Sequence, residues 1–204
     1  MRKFQIVRDY HEEDVFLYDK EEIEIQPGLT VLVGPNGSGK TTLINQIQRK
    51  LDKLKLPYVK YDNVIDGGSR GKERAGFYGD IEMLAASMLS SEGQEITINL
   101  GATASKIGTK FRKCIEKGMK EFWVLLDAID SGLSIDNVMD VKEYLFDTIL
   151  EEAEKAEVDA YIIVSANAFE MCREEKCFDV KAGEYLEFAD YEDYREFVMK
   201  SKKT

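Results

Sequence analysis

The sequence predicts an α/β protein with a mixed core sheet and flanking helices, and three stretches carry that expectation. Leu29 to Val33 is a short apolar run, and Lys40 to Leu56 repeats Leu43, Ile44, Ile47, Leu51 and Leu54 at helical spacing. Glu121 to Leu126 is a second apolar run, and it ends in an acid, Asp127. Ala160 to Val164 is a third, ending in Ser165-Ala166-Asn167. Apolar runs of this length, set among helical patterns, read as buried strands of a core sheet.

Between the first run and its helix lies Gly34-Pro35-Asn36-Gly37-Ser38-Gly39-Lys40-Thr41-Thr42, which satisfies G-x-x-x-x-G-K-[ST] at every fixed position. Three glycines let successive backbone N–H groups turn inward as a nest for phosphate oxygens, and the helix that follows adds the positive end of its dipole. Lys40 is placed to reach the β- and γ-phosphates. The Thr41 hydroxyl is placed to ligate magnesium, a cation that takes oxygen ligands and keeps several waters. Asp127, at the end of its strand, is the carboxylate that holds magnesium beside such a loop.

At 204 residues and 44% hydrophobic, the chain can bury a substantial core. No apolar run approaches the roughly 20 residues of a membrane span, and Met1-Arg2-Lys3-Phe4 leads into charged sequence, so a cytoplasmic protein without a membrane partner is expected. Cys114, Cys172 and Cys177 lack paired C-x-x-C spacing and read as buried or free thiols. The net charge of −11 argues against a surface that binds nucleic acid all over. Residues 136–196 hold nineteen acidic against six basic side chains, so a basic face must be sought elsewhere. Lys106, Lys110, Lys113 and Lys117 share one helical face, which reads as a solvated face or, alternatively, as a contact for DNA phosphates.

Upstream of the loop, Phe4 to Val7, Val15 to Tyr18 and Ile23 to Ile25 read as a small antiparallel sheet, and Tyr10, Phe16 and Tyr18 are its candidates for stacking on a base. Downstream, Pro57 to Tyr61 reads as a core strand with Asp62 and Asn63 at its end, where open α/β sheets place ligands; Asn63 is a candidate metal ligand. Asp66 to Gly76 is a glycine-rich basic loop, either a connector or a segment that closes over phosphate or a partner. A helix over Asp80 to Leu89 precedes Ser90-Ser91-Glu92-Gly93-Gln94, which opens a long helix to about Lys117. Another helix, of about five turns, shows Ile135, Val138, Met139, Leu145, Ile149 and Leu150 on one side. After Asn167 come a short helix, two strand-like pieces around Ala182-Gly183, and a terminal helix whose Tyr191, Tyr194, Phe197 and Val198 read as packing.

Taken in order, GPNGSGKT, SSEGQ and LLDAIDSGLS resemble the phosphate loop, signature motif and magnesium-aspartate strand of the ABC-type ATPases, over Phe4 to about Asn167. The similarity is greatest to the soluble branch that includes SMC and RecF-type heads and the stand-alone phage and mobile-element ATPases of the AAA group. The resemblance implies ATP and Mg2+ as cofactors and a P-loop NTPase fold of the ABC type. It implies one domain over 1–204, with a reduced helical subdomain at about 66–118. It also implies a head-to-tail homodimer in which Ser91 and Gly93 of one copy cap the γ-phosphate held by Lys40 of the other. The output would be a switch acting on a protein partner, in DNA processing or phage-related defence. A motor subunit of a transporter and a non-hydrolysing binding module are the alternatives.

Two positions depart from that family. Ala128 stands where the family places a glutamate beside the magnesium aspartate, so weak or absent hydrolysis is expected. Asn167 ends the later strand where a histidine is usual; it can donate a hydrogen bond to a γ-phosphate oxygen but cannot shuttle a proton. Asp130 is not assumed to replace the missing base.

Overall fold

A computed structural model describes residues 1–7, 10–12, 15–62, 95–130 and 133–201. The strands are β1 (Arg2–Gln5), β2 (Tyr10–Glu12), β3 (Val15–Phe16), β4 (Glu22–Ile25), β5 (Gly28–Val33), β6 (Tyr58–Asp62), β7 (Glu121–Asp127), β8 (Asp159–Ser165), β9 (Cys177–Asp179) and β10 (Glu184–Leu186). The helices are α1 (Lys40–Leu54), α2 (Glu95–Glu116), α3 (Ile135–Asp140), α4 (Asp147–Lys155), α5 (Phe169–Cys172) and α6 (Tyr191–Ser201), with a π-helical stretch, Val141–Phe146, joining α3 to α4.

Six strands form the central sheet in the order β10-β9-β5-β8-β7-β6. All neighbours are parallel except β10, which runs antiparallel to β9, so the sheet is mixed. Both faces are covered, which is why β5, β7 and β8 are almost wholly apolar: Val31 to Val33, Phe122 to Leu126 and Ile162 to Val164 are fully buried. One face packs Leu43, Ile44, Ile47 and Leu51 of α1 together with Phe4, Ile23 and Ile25 of the front strands. The other receives Ala104, Ile107 and Phe111 of α2, Val138 to Ala153 of the α3–α4 helix, and Tyr194 of α6.

The front strands are antiparallel as expected; among the described residues they pair as two ribbons, β1 with β4 and β2 with β3. Leu54 is exposed because α1 stops there, with Lys55 in the left-handed region at φ 55°. On the α3–α4 helix, Val138, Val141, Leu145, Ile149 and Ala153 form the buried stripe; Met139, one residue off it, and Ile135, in the first turn, face outward. The expected helix over Asp80 to Leu89 and residues 66–94 of the span expected to form a helical subdomain lie outside the described residues; within that span α2 is described. The three cysteines are free and buried. Among the described residues no helix is long and apolar enough to cross a membrane.

Candidate functional site

The parallel strands of the central sheet point their carboxyl ends to one side, and there β5, β7 and β8 surround a cavity of about 410 Å³. Its lining combines the loop after β5 (Asn36, Gly37, Ser38, Gly39) and the first turn of α1 (Lys40, Thr41, Thr42) with Asp127, Ala128, Ser165, Asn167 and Leu17. Four segments distant in sequence thus meet at one place, where open α/β sheets hold ligands.

The loop closes tightly on itself. Gly34, Gly37 and Gly39 all have positive φ, and a Cβ on Gly34 would lie 2.6 Å from the Ser38 hydroxyl oxygen, so only glycine fits there. Gly39 caps α1 in the left-handed region; no side chain caps the helix and its first turn carries no acid. The positive end of the helix dipole therefore opens on the cavity. Tyr18, almost fully buried, underpins this turn: its hydroxyl donates to the Gly39 carbonyl at 2.9 Å. Tyr18 is consequently unavailable for stacking on a base, and the half-buried Leu17 beside it lines the cavity instead.

Lys40 Nζ donates to the Gly34 carbonyl at 2.6 Å and the Pro35 carbonyl at 3.3 Å, which leaves a third N–H for an anion. Loss of solvent lowers its pKa, while the nearby carboxylates of Asp130 and Asp127 oppose that shift. Pro35 and Gly34 shape the loop through those carbonyls and do not line the cavity.

Asp127 is buried, and the Ser165 hydroxyl donates to its carboxylate. The same hydroxyl oxygen accepts the Ala128 N–H at 2.9 Å. That bond fixes the turn that ends β7, where Ala128 sits at φ 51°, a region L-residues seldom occupy. Two residues on, the Asp130 carboxylate accepts the N–H groups of Asn167 and Ala168, both at 2.6 Å, so it is committed to backbone rather than poised as a base. Asn167 is exposed at the rim.

The Thr41 hydroxyl and the Asp127 carboxylate line the same cavity, and this oxygen donor set fits magnesium, which is commonly held by one or two carboxylates with phosphate and water. No group of three His, Cys, Asp or Glu side chains gathers elsewhere among the described residues. Asp62 pairs in register with Asp127 but does not line the cavity; Asn63, Ser91 and Gly93 lie outside the described residues. All four side chains of the lysine stripe are exposed, and Lys110 also donates to the Tyr58 carbonyl at 2.9 Å and sits over the Tyr58 ring.

Sequence reasoning passed over Leu17 and the part Ser165 plays. A hydroxyl ending a buried strand was visible, but only the placement of β8 between β5 and β7 gives it Asp127 as a partner.

A family model described as an AAA domain matches residues 13–63, which include the loop, α1 and β6. The chain is also similar to a DNA double-strand break repair Rad50 ATPase of Methanopyrus kandleri, with 40% identity over 58 residues. That match spans 28% of this chain and 6% of the relative. With the architecture described above, the AAA-domain match is consistent with a P-loop NTPase fold.

Proposed function

We propose that the chain binds Mg-ATP in this cavity and works as an ATP-gated dimerisation switch with little hydrolysis of its own. The observation that carries the reading is the meeting of the phosphate loop, Asp127, Ala128 and Asn167 around one cavity. Backbone N–H groups from Gly37 to Thr42 hold the phosphates, Lys40 bridges the β- and γ-phosphates, and Asn167 donates to a γ-phosphate oxygen. Thr41 and Asp127 would hold a magnesium ion, with Asn63 as a further candidate, and the ion would supply charge neutralisation at the bound phosphates. Ser91 and Gly93 of a second copy cap the γ-phosphate, so ATP joins two copies head to tail, and the dimer acts on a protein partner in the cytoplasm. The relative named for DNA repair favours a DNA-processing partner over a membrane motor.

Ala128 supports the weak-hydrolysis side of this reading, because a methyl group there cannot take a proton from water. Replacing it with Glu adds no backbone strain of its own, since both residues carry a Cβ at the same positive φ. General-base catalysis contributes about 10²- to 10⁴-fold, so Ala128→Glu should raise the single-turnover rate by at least about tenfold. An ordinary rate in the parent, unchanged in Ala128→Glu, would overturn the stalled-switch reading. Light scattering tests the other half: Mg-ATP should convert monomer to dimer, and Ser91→Arg should prevent it while ATP still binds. An undiminished dimer in Ser91→Arg would remove Ser91 from the interface.

A further inference from the structure

Asn167 is held in an unusual way for an exposed residue. Its N–H is bound by the Asp130 carboxylate, reaching from the segment after β7, and its carbonyl oxygen accepts the Tyr194 hydroxyl of α6 at 2.7 Å. Both backbone polar groups are thus tied to side chains from two other elements, and the Asn167 side chain is what remains at the cavity. An ordinary cap would not look like this. A capping side chain bonds the second or third N–H inside a helix, whereas Asp130 binds Asn167 and Ala168, the two residues that precede α5.

The clamp is itself well supported. Tyr194 is buried and rests against Phe169 and Phe188, at ring-centroid distances of 5.8 and 5.2 Å, so its hydroxyl has little freedom. The second carboxylate oxygen of Asp130 is buried with no hydrogen-bond partner among the described residues. Leaving a buried acceptor unpaired costs free energy, and the two bonds of the other oxygen to the Asn167 and Ala168 N–H groups hold the carboxylate there.

We infer that Asp130 and Tyr194 are positioning residues that hold Asn167 in place to read the γ-phosphate. This rests on the ATP reading above and deepens it: the clamp sets how well the site tells a nucleoside triphosphate from a diphosphate, and it links that discrimination to the C-terminal helix.

The test is the ratio of Mg-ATP to Mg-ADP affinity, measured by calorimetry for the whole chain. Losing one hydrogen bond to a charged oxygen should lower that ratio roughly tenfold in Asn167→Ala. Tyr194→Phe keeps the ring packing and removes only the hydroxyl; the ratio should fall at least about threefold. Asp130→Ala should match Asn167→Ala, adding it to Asn167→Ala should change nothing further, and Asp130→Asn, which keeps an acceptor oxygen, should restore part of the preference. A role confined to stability would lower the melting temperature and both affinities while sparing the ratio. Should Asp130→Ala fail to fold, Tyr194→Phe decides. A wild-type ratio in Tyr194→Phe, with Asn167→Ala impaired, overturns the clamp. If Asn167→Ala keeps the wild-type ratio, the role of Asn167 falls and the clamp with it. A wild-type chain that binds no ATP would instead break the functional reading itself.

Discussion

Strands β7 and β8 run side by side, and their two ends are held together by different physics. Near the start of the strands, Trp123 and Tyr161 are directly opposed and their rings stack at 3.9 Å and 3°, with Phe4 edge-on to Trp123 at 5.4 Å. All three are buried. At the far end the rungs are polar: Asp127 to Ser165, Ala128 to Ser165, and Asp130 to the backbone of Asn167 and Ala168. Ring stacking is broad and forgiving of small displacements, whereas hydrogen bonds fix atoms to within a few tenths of an ångström. Stability should therefore reside at the stacked end and ligand geometry at the polar end.

The largest expected effect tests the stacked end. Trp123→Ala empties a fully buried site beneath Phe4 and beside Tyr161, and should lower unfolding free energy by about 3–5 kcal/mol in urea titrations. The molecules that remain folded should bind ATP with unchanged affinity. A matching loss of affinity would mean that the two ends are not separable.

The converse substitution is Lys40→Met, which keeps an unbranched stem and removes the ammonium. Truncating one partner of a desolvated charge pair costs several kcal/mol of binding, so ATP affinity should fall by about 100-fold or more by calorimetry. Removing the charge relieves the loss of solvent that depresses the Lys40 pKa but gives up its bonds to the Gly34 and Pro35 carbonyls, so the melting temperature should change little. A drop comparable to that of Trp123→Ala would sink the division.

How much of this was legible in the sequence follows from the same contrast. The loop, α1 and the strand ending at Asp127 could be read because their signals are local: glycine spacing, helical period, an acid after an apolar run. The polar rungs could not, because each depends on which strand lies beside which. Ser165 meets Asp127 only since β8 is inserted between β5 and β7. Tyr194 looked like one more packing aromatic of a terminal helix; it is buried as expected, yet its hydroxyl reaches Asn167. Tyr18 was a candidate for base stacking, and burial against Gly39 makes it the prop of the loop instead.

The smallest expected effect concerns pH and sharpens the account of the stacked end. Tyr161 is buried against Trp123, and its phenol pKa is pushed up to about 12, first by loss of solvent and then by the carboxylates of Asp159 and Glu121. The unfolded phenol titrates near 10, so the folded state holds this proton more tightly than the unfolded one. The stability this confers is complete below pH about 10 and is lost as pH rises from about 10 to about 12. One such group steepens the alkaline decline by less than about 1.4 kcal/mol per pH unit. Tyr161→Phe removes it, so urea titrations across that window should show a shallower decline than in the parent. Tyr185 and Tyr194, whose pKa values burial also raises, would retain their own share. At neutral pH the variant loses the hydrogen bond from the Met1 amine, 2.9 Å from the Tyr161 hydroxyl, at a cost of about 1 kcal/mol, which makes the slope rather than the absolute stability the quantity to read. Equal slopes in parent and variant would show that the Tyr161 hydroxyl is better solvated than its burial implies, and ATP affinity should be the same in both proteins.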